Sequence, residues 1–139
     1  MSKGRKQPFP AAPSPDEPRS KLPFELRYTA DAAADIKALD GSVRNQLRKV
    51  LEKKLAVDPE GYGLPLRGSL AGYWKHQFGN HRVVYRIYPQ HRMVVVCSVG
   101  VRKKGDAEDI YRQLESVAKT GRLAEQLASV LRNILRTKK

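Results

Sequence analysis

Between Gly61 and Gly105 the chain contains no Asp or Glu, and the stretch divides into three strand-like pieces, Tyr73–Phe78, His81–Tyr88 and Met93–Val101. Gly79-Asn80 separates the first two as a two-residue hairpin turn, with positive φ inexpensive for both residues, and Pro89–Arg92 separates the last two as a longer one. Strands joined this closely run antiparallel, because a parallel pair needs a crossover of about a dozen residues or more. The chain is therefore committed to a small, twisted antiparallel sheet.

What precedes and follows that sheet reads as helix. Phe24, Leu26 and Tyr28 alternate with Glu25 and Arg27, which marks a short N-terminal strand over Phe24–Thr29. Thr29 can cap a helix over Ala30–Leu39, and after Asp40-Gly41 Ser42 can cap a second one with Val43, Leu47, Val50, Leu51 and Leu55 on one side. So short a connection makes an antiparallel helical hairpin, which buries its stripe on a sheet. Asp106 can cap a helix carrying Ile110, Leu114 and Val117, and Gly121 separates it from an amphipathic helix with Leu123, Leu127, Val130, Leu131, Ile134 and Leu135. The fold class is α+β: an N-terminal strand and helical hairpin on a small antiparallel sheet, plus C-terminal helices.

Residues 1–23 hold six prolines, few large apolar side chains and both signs of charge, the composition of a flexible basic arm. The expected division is an arm at 1–23, a folded domain at 24–118 and a helical extension at 119–139. Nothing in the arm resembles the apolar segment of a signal peptide, and the longest apolar run, Met93–Cys97, falls far short of the roughly 18 residues that suggest a membrane span. A lone cysteine, Cys97, forms no intrachain disulfide and suits a reducing compartment. A cytoplasmic protein with no membrane partner is expected.

The formal charge is +13, from 27 Lys and Arg against 14 Asp and Glu, so the surface attracts polyanions. Eight of the positives, Arg67, Lys75, Arg82, Arg86, Arg92, Arg102, Lys103 and Lys104, lie uncompensated in the acid-free stretch. Side chains alternate faces along a strand, so the hairpin leaves Lys75 and Gln77 on the same face as Arg82 and Arg86. Trp74, Phe78, Val83, Tyr85 and Ile87 then form the core side. The expectation is one apolar face and one basic face. Lysines and arginines also protect sheet edges from aggregation, but such surfaces normally mix signs.

The run from Leu66 to Tyr111 resembles the C-terminal half of RelE/ParE-superfamily toxins: a Leu-Arg-Gly turn, a basic strand, an Arg-hydrophobic-hydrophobic-Tyr strand, an apolar strand and a basic-to-tyrosine end. The resemblance covers about residues 24–118. It implies a RelE-like toxin acting as a ribosome-dependent mRNA endonuclease on mRNA in the ribosomal A site, neutralised by a cognate antitoxin and needing no metal or other cofactor. In the implied reaction a ribose 2′-hydroxyl attacks the adjacent phosphate and leaves a 2′,3′-cyclic phosphate and a 5′-hydroxyl.

By the same resemblance, Lys75 activates the nucleophile and stabilises charge, Arg82 braces the phosphate with its forked guanidinium, and Arg102 sits near the leaving group. Tyr111 is the implied base or stacking platform, and a phenol beside cations loses its proton more readily. Arg67, Gln77, His81, Arg86, Lys103 and Lys104 are the further phosphate- and RNA-binding candidates. Gln77 stands where relatives often carry a second cation. His76 falls on the core side by alternation, His91 lies in a turn, and His81 stands beside Arg82. No zinc-ligand spacing occurs. Two other readings fit the same cations: a ParE-like toxin that inhibits DNA gyrase by binding, and a non-catalytic RNA-binding domain with salt-sensitive phosphate contacts.

Overall fold

The structure is a computed structural model and describes residues 23–101 and 109–137, with side chains up to 133. Residues 1–22 of the expected arm at 1–23 and the cations Arg102, Lys103 and Lys104 lie outside the described residues, as does Asp106.

Strand β1 (Glu25–Tyr28) leads into helices α1 (Ala30–Lys37) and α2 (Gly41–Val50), the latter continuing as a wider π turn over Leu51–Leu55. A two-residue strand β2 (Leu64–Pro65) precedes β3 (Trp74–Phe78), β4 (His81–Tyr88) and β5 (Met93–Val101), and α3 (Ile110–Lys119) and α4 (Arg122–Thr137) follow. The sheet order is β1-β5-β4-β3-β2. β2 to β5 pair antiparallel, as the tight turns require, and β1 joins β5 in parallel from Glu25 opposite Met93 to Tyr28 opposite Val96. The helical hairpin is the crossover that lets β1 do so.

Thr29 ends β1 and starts α1: its hydroxyl oxygen accepts from the Ala32 amide at 3.1 Å, and its hydroxyl donates to the Cys97 carbonyl at 3.2 Å. α2 is preceded by Asp40 rather than by the expected Ser42, whose hydroxyl instead donates to the Asp40 carboxylate at 2.8 Å. Gly79 alone takes positive φ in the β3–β4 turn, at 56°, and Asn80 does not. Glycine first with positive φ is the II′ pattern, whose twist suits a hairpin.

Ala32, Leu47, Val50, Leu51 and Leu55 pack on one sheet face against Phe78, Val83, Tyr85, Val94, Val96 and Val99, with Trp74 and Ile87 at the margin. That is the expected core side. Tyr85 is fully buried there, and its hydroxyl donates to the Pro59 carbonyl at 2.6 Å. Gly63 makes room for it, since a Cβ at that position would sit 1.8 Å from the Tyr85 Oη.

The other face is not simply basic. Val84, Met93, Val95 and Cys97 are buried on it beneath Ile110 and Leu114 of α3 and Leu123 and Leu127 of α4. β5 is apolar at odd and even positions alike, which means burial on both faces, so the sheet is covered by helices on each side. Val84 pairs with Ser98 but Tyr85 pairs with Val96, leaving Cys97 as a bulge residue. The bulge shifts the strand's phase, so Val96 and Val99 both reach the first core and Gly100 comes opposite Arg82.

α4 is held mainly by its apolar side. Burying Leu123 and Leu127 contributes roughly 1.5–3 kcal/mol each, whereas the half-exposed ion pair of Arg122 with Asp31 at 2.6 Å is worth about 0–1 kcal/mol. Gln126 supplements it, accepting from the Asp31 amide at 3.0 Å and donating to the Asp31 carboxylate at 2.9 Å. Among the described residues no helix is long and apolar enough to cross a membrane.

Candidate active site on the second sheet face

The β3–β4 turn sets the register that builds the site. Gln77 lies opposite Arg82 and Lys75 opposite Val84, so Lys75 and Arg82 are diagonal neighbours on one face, about 7–8 Å apart. Gln77 Nε2 donates to the Gly79 carbonyl and Arg82 Nη1 to the Asn80 carbonyl, each at 3.3 Å. Both side chains therefore brace the turn. A guanidinium carries five N–H donors, so that one bond leaves Arg82 ample capacity for an anion.

α3 closes the site from above. Asp109 caps it, its carboxylate accepting from the Tyr111 amide at 3.1 Å and the Arg112 amide at 3.3 Å. Ile110 rests on Gly100, where an added Cβ would lie 3.6 Å from the isoleucine Cβ. With the helix start fixed there, Lys75 Nζ comes over the Tyr111 ring, 5.7 Å from its centroid. Lys75 and Tyr111 thus meet on the sheet face that also carries Gln77 and Arg82 beside the turn.

The other expected site residues are distributed differently. Arg86 shares the face but lies toward the far end of β4, its guanidinium over the rings of Tyr73 at 5.1 Å and Tyr88 at 5.7 Å. His81 pairs with Phe78 and stacks on its ring at 5.4 Å, which puts it on the core side, away from Lys75. His76 is also on that side, its Nδ1 2.7 Å from the Tyr62 carbonyl oxygen. Arg67 is exposed in the loop after β2. Arg102, Lys103 and Lys104 lie outside the described residues, and the strand end that leads to them, Gly100–Val101, pairs with Arg82 and His81.

Three features were not read from the sequence. Tyr73, just before β3, and Tyr88, at the end of β4, flank Arg86; each sits two places from a cation, so alternation alone signals them. An acid approaches from α3, since Glu115, one turn beyond Tyr111, accepts from the Ser69 hydroxyl at 2.7 Å. Among the described residues no three His, Cys, Asp or Glu side chains gather as metal ligands would.

Burial decides the protonation of several phenols. It raises the Tyr73 and Tyr88 pKa values, with the neighbouring Arg86 opposing the rise, and raises Tyr85 strongly, with Asp58 and Glu60 adding to it. All three are neutral near pH 7, so none of them serves as a base.

A family model described as the ParE toxin of type II toxin-antitoxin systems, parDE, matches residues 26–107. The chain belongs to the RelE/ParE toxin family. It is a type II toxin with a RelE-like fold. Toxin RelG of Mycobacterium tuberculosis is 32% identical over 92 residues, which is 66% of this chain and 100% of RelG. Toxin RelE of the same organism is 30% identical over 80 residues, 58% of this chain and 82% of that toxin. The crystal structure of the toxin-antitoxin complex RelBE2 from Mycobacterium tuberculosis superposes with a TM-score of 0.56 at 31% identity, covering 58% of this chain and 93% of the matched one. Lys75, Gln77 and Arg82 fall within the family match, whereas Tyr111, α3 and α4 lie past its end.

Proposed function

We propose that this toxin is a ribosome-dependent endoribonuclease that cuts mRNA in the ribosomal A site and is held in check by a cognate antitoxin. The observation that carries the proposal is the meeting of Lys75 with the Tyr111 ring on the sheet face that also carries Arg82, diagonal to Lys75 across β3 and β4. The 2′-oxygen forms a bond to phosphorus, the bond from phosphorus to the 5′-oxygen breaks, and the products are a 2′,3′-cyclic phosphate and a 5′-hydroxyl. Tyr111 accepts the 2′ proton through its phenol oxygen, and Lys75, whose ammonium lies over that ring, stabilises the charge gathering on phosphorus. Arg82 clamps the non-bridging oxygens, which its forked geometry suits. Arg102 stabilises the charge on the departing 5′-oxygen, and the ammonium of Lys103 or Lys104 supplies its proton. No step in this scheme calls for a metal ion, and its ribosomal target places it in the cytoplasm.

The antitoxin partner is supported by the RelBE2 neighbour, whose structure is a toxin-antitoxin complex. A second reading, inhibition of DNA gyrase by binding, is favoured by the ParE name of the family model and by the uncharged Gln77. Purified protein added to a translating extract separates the two. Fragments with cyclic-phosphate ends are the expected result; intact mRNA together with blocked supercoiling in a gyrase assay would overturn the nuclease reading.

A further inference from the structure

Arg86 was expected to meet phosphate beside Arg82, but the structure surrounds it with aromatic rings. Its guanidinium lies over Tyr73, just before β3, and over Tyr88 from its own strand. Gly72, at φ +96°, passes close enough that a Cβ there would lie 3.9 Å from the guanidinium, so the turn before β3 lies against the cluster. Tyr73, Arg86 and Tyr88 are each only partly buried, and among the described residues no carboxylate pairs with Arg86. This is a charged, half-open aromatic assembly on the same sheet face as the candidate active site.

Its distance from that site is informative. Tyr73 is two residues before Lys75 on β3, so the cluster lies about 7 Å along the strand from the lysine. That is close to one nucleotide step of an unstacked strand whose phosphate is held at Lys75 and Arg82. Sequence-tolerant stacking of bases on tyrosine rings and arginine planes is how single-stranded RNA is commonly gripped. The phenols are neutral, which suits stacking rather than proton transfer.

We propose that Tyr73, Arg86 and Tyr88 form a stacking subsite for the base of the nucleotide next to the one placed at Lys75 and Arg82. The proposal rests on the RNA reading above and adds to it a second point of grip, which fixes the register of the strand. Tyr73 and Tyr88 are positioning residues in this scheme.

The test uses the full chain on ribosomes programmed with mRNA that carries a 2′-O-methyl group at the A-site ribose and 2-aminopurine at successive neighbouring positions. Quenching of the fluorescent base by wild-type protein is expected at one position beside the methylated ribose. Tyr73→Leu and Tyr88→Leu should abolish the quench and weaken binding roughly 5- to 150-fold, while Tyr73→Phe and Tyr88→Phe, which keep the rings, restore it. Thermal melting of each variant reports whether it is folded. Wild-type protein that cleaves unmodified mRNA but quenches at no position, or Leu variants that are folded and quench as well as the Phe variants, would overturn the subsite and leave the nuclease reading standing. Ring-dependent quenching without cleavage would support the subsite and overturn the nuclease reading.

Discussion

Lys75 and Arg82 are neighbours because a glycine turn sets their register, and Tyr111 joins them because Asp109 and Ile110 fix where α3 begins. If the three work as proposed, Arg82→Ala should lower the cleavage rate by roughly 10²–10³-fold with an unchanged melting temperature. Arg82→Lys should recover only part, since an ammonium lacks the fork. Tyr111→Phe keeps the ring under Lys75 but removes the proton acceptor, so a loss of roughly 10²-fold in single-turnover rate is expected; a rate equal to wild type would leave the ring as a platform only. Gly63 provides a check on packing away from the site. Gly63→Ala should destabilise the fold by about 3 kcal/mol in urea titration, because its Cβ falls on the Tyr85 hydroxyl. Most of the site was legible at this scale: alternation placed Lys75, Gln77, Arg82 and Arg86 on one face. It did not place His81, because proximity to Arg82 in sequence means the opposite side of the sheet.

At the scale of elements, turn chemistry and hydrophobic period made the helical hairpin and the three-stranded run readable in advance. The parallel addition of β1 was not, since a short strand declares its pairing only through the distant partner it meets. Nor was the cover on the second face, although a signal existed: the unbroken apolar run Met93–Cys97 has no solvent side. α4 is part of that cover. Leu127→Ala should cost about 2–5 kcal/mol, while Arg122→Ala, at an exposed ion pair, should cost about 0–1 kcal/mol; chemical denaturation of the two variants distinguishes apolar packing from the surface pair. Cys97 reports on the same layer. Burial pushes its thiol up to about 12, so it favours the native state wherever it stays protonated. That contribution is complete below the unfolded thiol's range, about pH 8.5, and is lost as pH rises toward the folded value. At pH 8 the native protein should resist a thiol reagent that labels the urea-unfolded chain readily; rapid labelling of the folded form would contradict the packing described.

For the molecule as a whole, net charge favours a polyanion partner but does not say where it would sit. The sheet is roofed by helices on both sides, and on its second face the described strand cations are Lys75 and Arg82 near the β3–β4 turn and the aromatic-flanked Arg86. This concentrates recognition on a strip rather than spreading it over a face. Sequence and fold together establish a RelE/ParE toxin, and the strip is what favours RNA as its target. The most direct measurement is single-turnover cleavage of mRNA on programmed ribosomes, with the end groups of the fragments determined for wild type and Arg82→Ala. The wild-type toxin should yield 2′,3′-cyclic phosphate and 5′-hydroxyl ends, and the folded variant should yield almost none. Intact mRNA with wild-type toxin, or equal rates for the two proteins, would contradict the assignment.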